Sequence, residues 1–293
     1  MAQTELSGRT ALVTGGAQGL GEGMAHALAA AGARVVVADV QEDLAASVAD
    51  SLGEGNGSVY LDVTDEWSWE AAVATTVDEY GGLDVLVNNA GVEITSLITE
   101  VEPKDVRTML EVNILGTALG LKHGLRTMRP EGPAGKGGSI INISSVAATI
   151  AFPGIPVYSA TKSAVDRLTR VAAMEAGKLG YGVRVNCIYP GLVPTAMGAG
   201  LANDMAELGL YASPEEAGGA VVERTPRAVW ARSRTWPTPW SSSPRTPPAS
   251  STASACRSTA GWGCERGRAN RPIWRSPEPS RNLISPTRGG AAR

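Results

Sequence analysis

From Thr10 to about Pro226, short runs of β-branched and aliphatic residues alternate with longer stretches whose apolar residues recur at helical spacing. TALVTGG (10–16), RVVVADV (34–40), GSVYLDV (57–63), LDVLVNNAG (83–91), GSIINISS (138–145) and VRVNCIYPG (183–191) read as six strands, each ending in a polar or glycine-rich loop. Between the first two, GLGEGMAHALAAAGA places Leu20, Met24, Leu28 and Ala31 on one helical face, with Gly32 as a stop. YSATKSAVDRLTRVAAMEAGKLG (158–180) reads as a second long helix, with Val165, Leu168, Val171 and Ala172 at helical spacing. Strands alternating with amphipathic helices predict an α/β fold, a doubly wound parallel sheet covered on both faces. There is no internal repeat, so residues 1–226 are expected to form a single domain.

Composition changes this picture at about Pro226. Residues 227–293 hold twelve arginines, no lysine and only Glu265 and Glu278 as acids, so the net charge of −3 conceals an acidic body and a basic tail. Five of the seven tryptophans and half of the eighteen prolines also fall in the tail. Cys187, Cys256 and Cys264 have neither metal-ligand spacing nor an even framework of bridges, so neither a metal nor structural disulfides are expected. The start MAQTELSGRT has no basic region followed by an apolar core, and no apolar run approaches membrane-spanning length. The reading is a soluble, cytoplasmic protein with no membrane partner.

The first strand runs directly into TGGAQGLG, Thr14 to Gly21, and then into a helix. Glycines at 15, 19 and 21 let the backbone turn tightly and approach a pyrophosphate, whose charge is met by free N–H groups and the positive end of the helix dipole. Glycine clusters also mark ordinary turns, but this one has the strand before and the helix after that the mechanism needs. The second strand ends at Asp39, eighteen residues after Gly21, where a carboxylate can accept hydrogen bonds from ribose hydroxyls and repels a 2′-phosphate. With no arginine or lysine nearby to neutralise such a phosphate, NAD is favoured over NADP; a turn or cap at the next helix is the plainer role for Asp39. Asp62 and Val63 would suit adenine contact, although DVTD is equally a capping sequence.

Tyr158 and Lys162 stand four apart on one helix, facing the same space. A tyrosine that takes a proton from an alcohol near neutral pH needs its pKa of about 10 lowered, and a close ammonium does that. Ser145, thirteen residues before Tyr158, lies in a loop where its hydroxyl could reach the reacting oxygen.

In order and spacing, TGGAQGLG, LDV, NNAG (88–91), EVN ending at Asn113, NISS ending at Ser145, YSATK and PGLVPT (190–195) resemble the short-chain dehydrogenase/reductase family over residues 7–226. The resemblance implies a Rossmann-type three-layer sandwich and an NAD(P)-dependent enzyme acting on CH–OH groups, in homotetramers or homodimers. Carried over position by position, it makes Tyr158 the general acid/base and Lys162 the group that lowers its pKa and holds the nicotinamide ribose. Ser145 would orient the substrate oxygen, and Asn113 would support a water linking Lys162 to solvent, or else bridge backbone in a helix kink. Gly15, Gln18, Gly19, Leu20 and Gly21 would cradle the cofactor. Asn89, with Ala90 and Gly91, would contact its ribose. Pro190, Gly191, Val193 and Thr195 would anchor the carboxamide. Glu93, Ile94, Val146, Ala147, Ile155 and Val157 are expected to face the pocket, favouring a small, neutral, hydrophobic secondary alcohol or ketone.

The family continues past PEEAGGAVVERTP with an apolar helix and a last strand ending in a Val-Asp-Gly-Gly type motif; here the tail replaces both. Arg227–Trp240, written in GC-rich codons and read from the third base, gives Gly-Arg-Leu-Gly-Glu-Val-Ala-Asp-Met-Ala-Asp-Ala-Val, and continuing through Gly261 can give VFLASDASRFVHGQRLPVDGG. If its serines use TCN codons, WSSS (240–243) yields shifted codons with a middle T, all apolar. A single-base change near the codon of Pro226 or Arg227 is therefore expected to have replaced the native C-terminus. Competing readings are a disordered linker, or a basic arm with interleaved tryptophan for nucleic acid; the prolines and missing periodicity count against the arm, and no nucleic-acid partner is expected. The same loss leaves, beside the dehydrogenase reading, the alternative of a catalytically impaired remnant.

Overall fold

The computed structural model of the chain describes residues 5–225, so the tail readings lie outside the described residues. Six strands form one parallel sheet in the order β3-β2-β1-β4-β5-β6: β1 Thr10–Thr14, β2 Arg34–Asp39, β3 Gly57–Tyr60, β4 Val85–Asn88, β5 Gly138–Ile143 and β6 Val183–Ile188. All six expected strands are present, each shorter at its C-terminal end, where the chain leaves the sheet to form loops, and β4 also at its N-terminal end. β1 and β4 are wholly buried, as expected of largely apolar strands whose two faces are covered by helices. β3 and β6 flank the described sheet and are more exposed.

Alternate residues of each strand feed two different cores. Ala11, Val13, Val35, Val37, Val85 and Val87 point to one face. There they meet Met24 and Leu28 of α1 (Gly19–Ala30) and Val48 of α2 (Glu42–Ser51). Leu12, Val36, Leu86 and Ile140 point to the other face, with Trp69 of α3 (Glu66–Tyr80), Leu119 of α5 (Gly116–Met128) and Ala172 of α6 (Pro156–Lys178). The three-layer sandwich thus follows from strand period two meeting helix period 3.6. α4 (Pro103–Met109) runs into α5 through a π-helical turn, Leu110–Leu115. α7 (Ala196–Glu207) and α8 (Pro214–Arg224) pack with Phe152 and Ile155 in a smaller cluster at the C-terminal ends of the strands.

Local signals explain most boundaries. Asp65 caps α3 by accepting from the Trp67 and Ser68 amides, and Gly32 follows α1 at φ 92°. Val171 corrects the expected apolar face of α6: it is 48% exposed, and Thr169, four residues after Val165, takes the inward position. Thr169 can do so because its hydroxyl accepts from Asn142 Nδ2 (2.9 Å) and donates to the Val165 carbonyl (2.7 Å).

Candidate active site

β1 and β4 are sheet neighbours whose connections leave in opposite directions, the point at which a doubly wound sheet opens a crevice. The glycine loop occupies it. Gly15 and Gly19 adopt φ of 59° and 61°, open to glycine at no steric cost. A Cβ at Gly15 would stand 2.8 Å from the Ala90 Cα, and one at Gly21 only 2.0 Å from the Gly15 carbonyl oxygen. Gly21 therefore packs the helix onto the loop and does not line the cleft. The Gln18 side chain does not cap α1, so the positive end of that helix remains available to an anion. Thr14 Oγ1 accepts from the Asn89 and Ala90 amides (3.0 and 3.1 Å), and Asn89 Nδ2 donates to the Thr14 and Gly15 carbonyls (3.0 and 2.9 Å). Asn89 thus stitches β4 to the glycine loop from the cleft wall.

Asp39, 7% exposed, ends β2 with Oδ2 accepting from the Ala17 amide and Oδ1 from the Gln41 amide, both at 3.1 Å. The carboxylate braces the glycine loop and the turn into α2 together, and with two acceptor oxygens it keeps capacity for further donors. Asp62 Oδ1 accepts from the Thr64 amide and hydroxyl (2.9 and 2.8 Å) and holds the turn, while Asp65 performs the helix capping expected of DVTD.

Tyr158 and Lys162 both line the cleft from the first turns of α6, and Ser145 faces it from the loop after β5. Ser145 Oγ accepts from the Ala147 amide (3.1 Å), which leaves its own proton to donate. Lys162 is 5% exposed; its Nζ donates to the Ile143 carbonyl (2.9 Å) and lies 5.6 Å from the Tyr158 ring centroid. Burial pushes the Lys162 ammonium down to about 8. The expected lowering of Tyr158 by that ammonium is corrected here: burial instead pushes the phenol up to about 12, with the Ser145 hydrogen bond pulling down and Glu93 pushing up. In this geometry one Lys162 N–H is directed at the Ile143 carbonyl and the ammonium stands 5.6 Å from the ring centroid, and desolvation is the larger effect on the phenol.

Asn113, 1% exposed in the π-helical turn, stands behind the cleft wall. Its Oδ1 accepts from the Val92 amide (2.9 Å), and its Nδ2 donates to the Val92 carbonyl (2.9 Å) and Thr161 Oγ1 (3.0 Å). This is the backbone-bridging alternative in atomic terms. A Cβ at Gly91 would come within 3.2 Å of both Asn113 Oδ1 and Lys162 Nζ, so Gly91 lets the two converge.

The cleft encloses about 720 Å³. Gly15, Gln18, Gly19, Leu20, Asp39, Asp62, Val63, Asn89, Ala90, Gly91, Ser145, Tyr158, Lys162, Pro190, Gly191, Val193 and Thr195 all reach it; Gly21 and Asn113 do not. Of the expected pocket residues, Glu93, Val146, Ala147 and Ile155 line it, whereas Ile94 and Val157 do not. Phe152, Leu192, Leu201 and Val221 line it without having been foreseen, and α7 and α8 carry the last two; the weak apolar pattern of those helices was the available signal.

The chain matches the short chain dehydrogenase family over residues 9–206. It belongs to the short-chain dehydrogenase family. It is 39% identical over 211 residues to trans-4-hydroxycyclohexanecarboxylate dehydrogenase of Sinomonas cyclohexanicum, covering 69% of this chain and 79% of that one. It is 40% identical over 230 residues to the mitochondrial borneol dehydrogenase of Lavandula x intermedia, covering 72% and 85%. Among solved structures, a short-chain type dehydrogenase/reductase from Mycobacterium marinum superposes with a TM-score of 0.70 at 27% identity, covering 82% of this chain and 89% of that one. As a short-chain dehydrogenase, the protein is an oxidoreductase acting on CH–OH groups with a nicotinamide cofactor. Among the described residues, no helix is long and apolar enough to cross a membrane.

Proposed function

We propose that this short-chain dehydrogenase interconverts a neutral, largely apolar secondary alcohol and its ketone, using NAD. The observation that carries the reading is the meeting of Ser145, Tyr158 and Lys162 with the glycine loop and Asp39 along one cleft. The cradle fits a dinucleotide: close backbone at Gly15 and Gly21, an uncapped helix start, and an acidic side chain at the end of β2. Gly15 to Leu20 would hold the pyrophosphate, Asp39 the adenosine ribose, Asp62 and Val63 the adenine, and Asn89 to Gly91 with Pro190 to Thr195 the nicotinamide half. When bound, the nicotinamide takes or gives the hydride, and alignment is the protein's part.

Tyr158 moves the proton at the substrate oxygen. Ser145 donates its hydroxyl proton to the same oxygen, holding it against Tyr158. Lys162, buried and lowered to about 8, exchanges a proton near neutral pH, and a water at its junction with Asn113 would pass that proton outward. Walls of Val146, Ala147, Phe152, Ile155 and Leu201 exclude water and suit an apolar ring or chain; borneol, named in one relative, is an alcohol of that kind.

The test is NADH formation, followed by absorbance, from NAD and a panel of cyclic secondary alcohols. Tyr158→Phe should lower turnover by about 10²- to 10⁴-fold while NAD binding persists. Full activity in that variant would refute the assignment, and cofactor binding with no turnover on any alcohol would leave the impaired remnant.

A further inference from the structure

Glu93 is a carboxyl placed where apolar substrate contacts dominate. It is half-buried on the cleft wall, in the segment just after Gly91, and shares that cleft with Tyr158, Phe152, Ile155 and Leu201. Its backbone is fixed from one residue away, because Asn113 clamps both the amide and the carbonyl of Val92. Among the described residues one donor serves the side chain: Thr95 Oγ1 lies 3.1 Å from Oε1 and 3.2 Å from Oε2. Among the described residues no lysine, arginine or histidine pairs with it. Two carboxyl oxygens offer about four acceptor positions, and one shared hydroxyl leaves most of them open. A ligand that displaces water from the cleft must supply donors to them in its place, or leave them unmet at a cost.

Resting on the dehydrogenase reading above, the structure assigns Glu93 a specificity role: it accepts a hydrogen bond from a second hydroxyl of a neutral substrate, away from the reacting carbinol, and turns away substrates carrying an anion there. The charged and titratable groups facing it agree with that role. Tyr158 comes from α6 and Asp204 from α7; the tyrosine is neutral near pH 7, and Asp204 adds negative potential. Burial, reinforced by Asp204, pushes the Glu93 carboxyl up to about 7. Rejection of anions is therefore in force above pH 7, where Glu93 is a carboxylate, and fades below it. Protonated, the group still accepts at its carbonyl oxygen and can also donate.

The test measures dissociation constants by ligand-observed NMR with NADH present, for cyclohexane-1,3- and 1,4-diols, cyclohexanol and trans-4-hydroxycyclohexanecarboxylate, at pH 6 and pH 8. The proteins are the full chain, Glu93→Gln and Glu93→Leu, each checked for fold by circular dichroism. In the full chain at least one diol should bind about tenfold more tightly than cyclohexanol. The ratio of carboxylate to diol affinity should rise several-fold on going from pH 8 to pH 6. Glu93→Gln, which keeps an acceptor but no charge, should preserve the diol preference and weaken the pH dependence several-fold, leaving only the part that Lys162, titrating near 8, contributes in every variant. Glu93→Leu should weaken it equally and abolish the diol preference, and a pH dependence equal in the full chain and Glu93→Gln overturns the assignment. A diol preference that survives in Glu93→Leu, or a carboxylate ratio indifferent to pH in the full chain, overturns the assignment. Binding ratios are read whether or not turnover occurs, so failure of the dehydrogenase reading would show separately as absent NADH formation. Should Glu93→Leu fail to fold, the pH comparison between the full chain and Glu93→Gln decides alone.

Discussion

Two carboxylates line the cleft, and their hydrogen-bond partners differ. Asp39 accepts from two backbone amides, Ala17 and Gln41. Replacing it with Ser would weaken NAD binding through the loosened loop and remove the repulsion toward a 2′-phosphate. The NADP-to-NAD ratio of kcat/KM should therefore rise by about tenfold or more, as measured by initial rates with the two cofactors; an unchanged ratio would assign Asp39 to the turn alone. Glu93 has one hydroxyl where Asp39 has two amides, and its carboxyl is raised to about 7. Such a group carries no electrostatic penalty below the ordinary carboxylate range, acquires one as pH climbs from there to 7, and bears it in full above 7. Glu93→Gln should thus gain about 1–3 kcal/mol over the parent at pH 8 and little at pH 4, measured by denaturant unfolding at both values. Asp39 was legible in the sequence because its place after a strand has a fixed spacing to the glycine loop. Glu93 was legible only as a pocket residue, since nothing in NNAGVEIT says which groups will desolvate it.

At the scale of elements, the strands could be read directly, because a strand buried on both faces is written as a short, nearly continuous apolar run. Helix faces were less secure. The choice between Val171 and Thr169 depended on whether a partner existed for a buried hydroxyl, and that partner, Asn142, comes from a strand 27 residues earlier. The π-helical turn had no sequence signal of its own, yet it sets the position of Asn113: the extra residue in the turn swings the amide under Val92. Asn113→Ala would leave the part-buried Val92 amide and carbonyl without their side-chain partner. The expected cost is about 2–4 kcal/mol of stability, with a larger proportional loss of kcat/KM than of NAD affinity, because the displaced segment carries Gly91 and Glu93 and not the glycine loop. Thermal unfolding together with NAD titration checks both parts. An Asn113→Ala protein with wild-type stability would mean that water replaces the amide without loss.

At the scale of the molecule, the sheet order followed from alternating strands and helices, but the cover over the cleft did not. α7 and α8 close it through Leu201 and Val221, and Thr225, the last described residue, rests against Gly191, where a Cβ would meet its Cγ2 at 3.3 Å. The family match ends at residue 206, and the described sheet ends at β6, whose outer edge pairs with no strand among the described residues. An open edge on a six-stranded parallel sheet is a site for mispairing and association. A last strand beside β6 is what the shifted reading of residues 227–261 would encode, and we propose that a single-base change near the codon of Pro226 or Arg227 removed it. Resequencing the locus is the direct check. A version with the shifted frame restored should melt about 5–10 °C higher than the chain as it stands, reflecting a few kcal/mol from the added strand and its packing. It should also aggregate less than the present chain at equal concentration. Turnover should rise with it, because α8 and Thr225 would then be held from both ends against Gly191 and the cleft. Equal melting temperature and equal activity in the two versions would show that residues 227–293 as written already do what the shifted strand was expected to do, and the single-base explanation would fall.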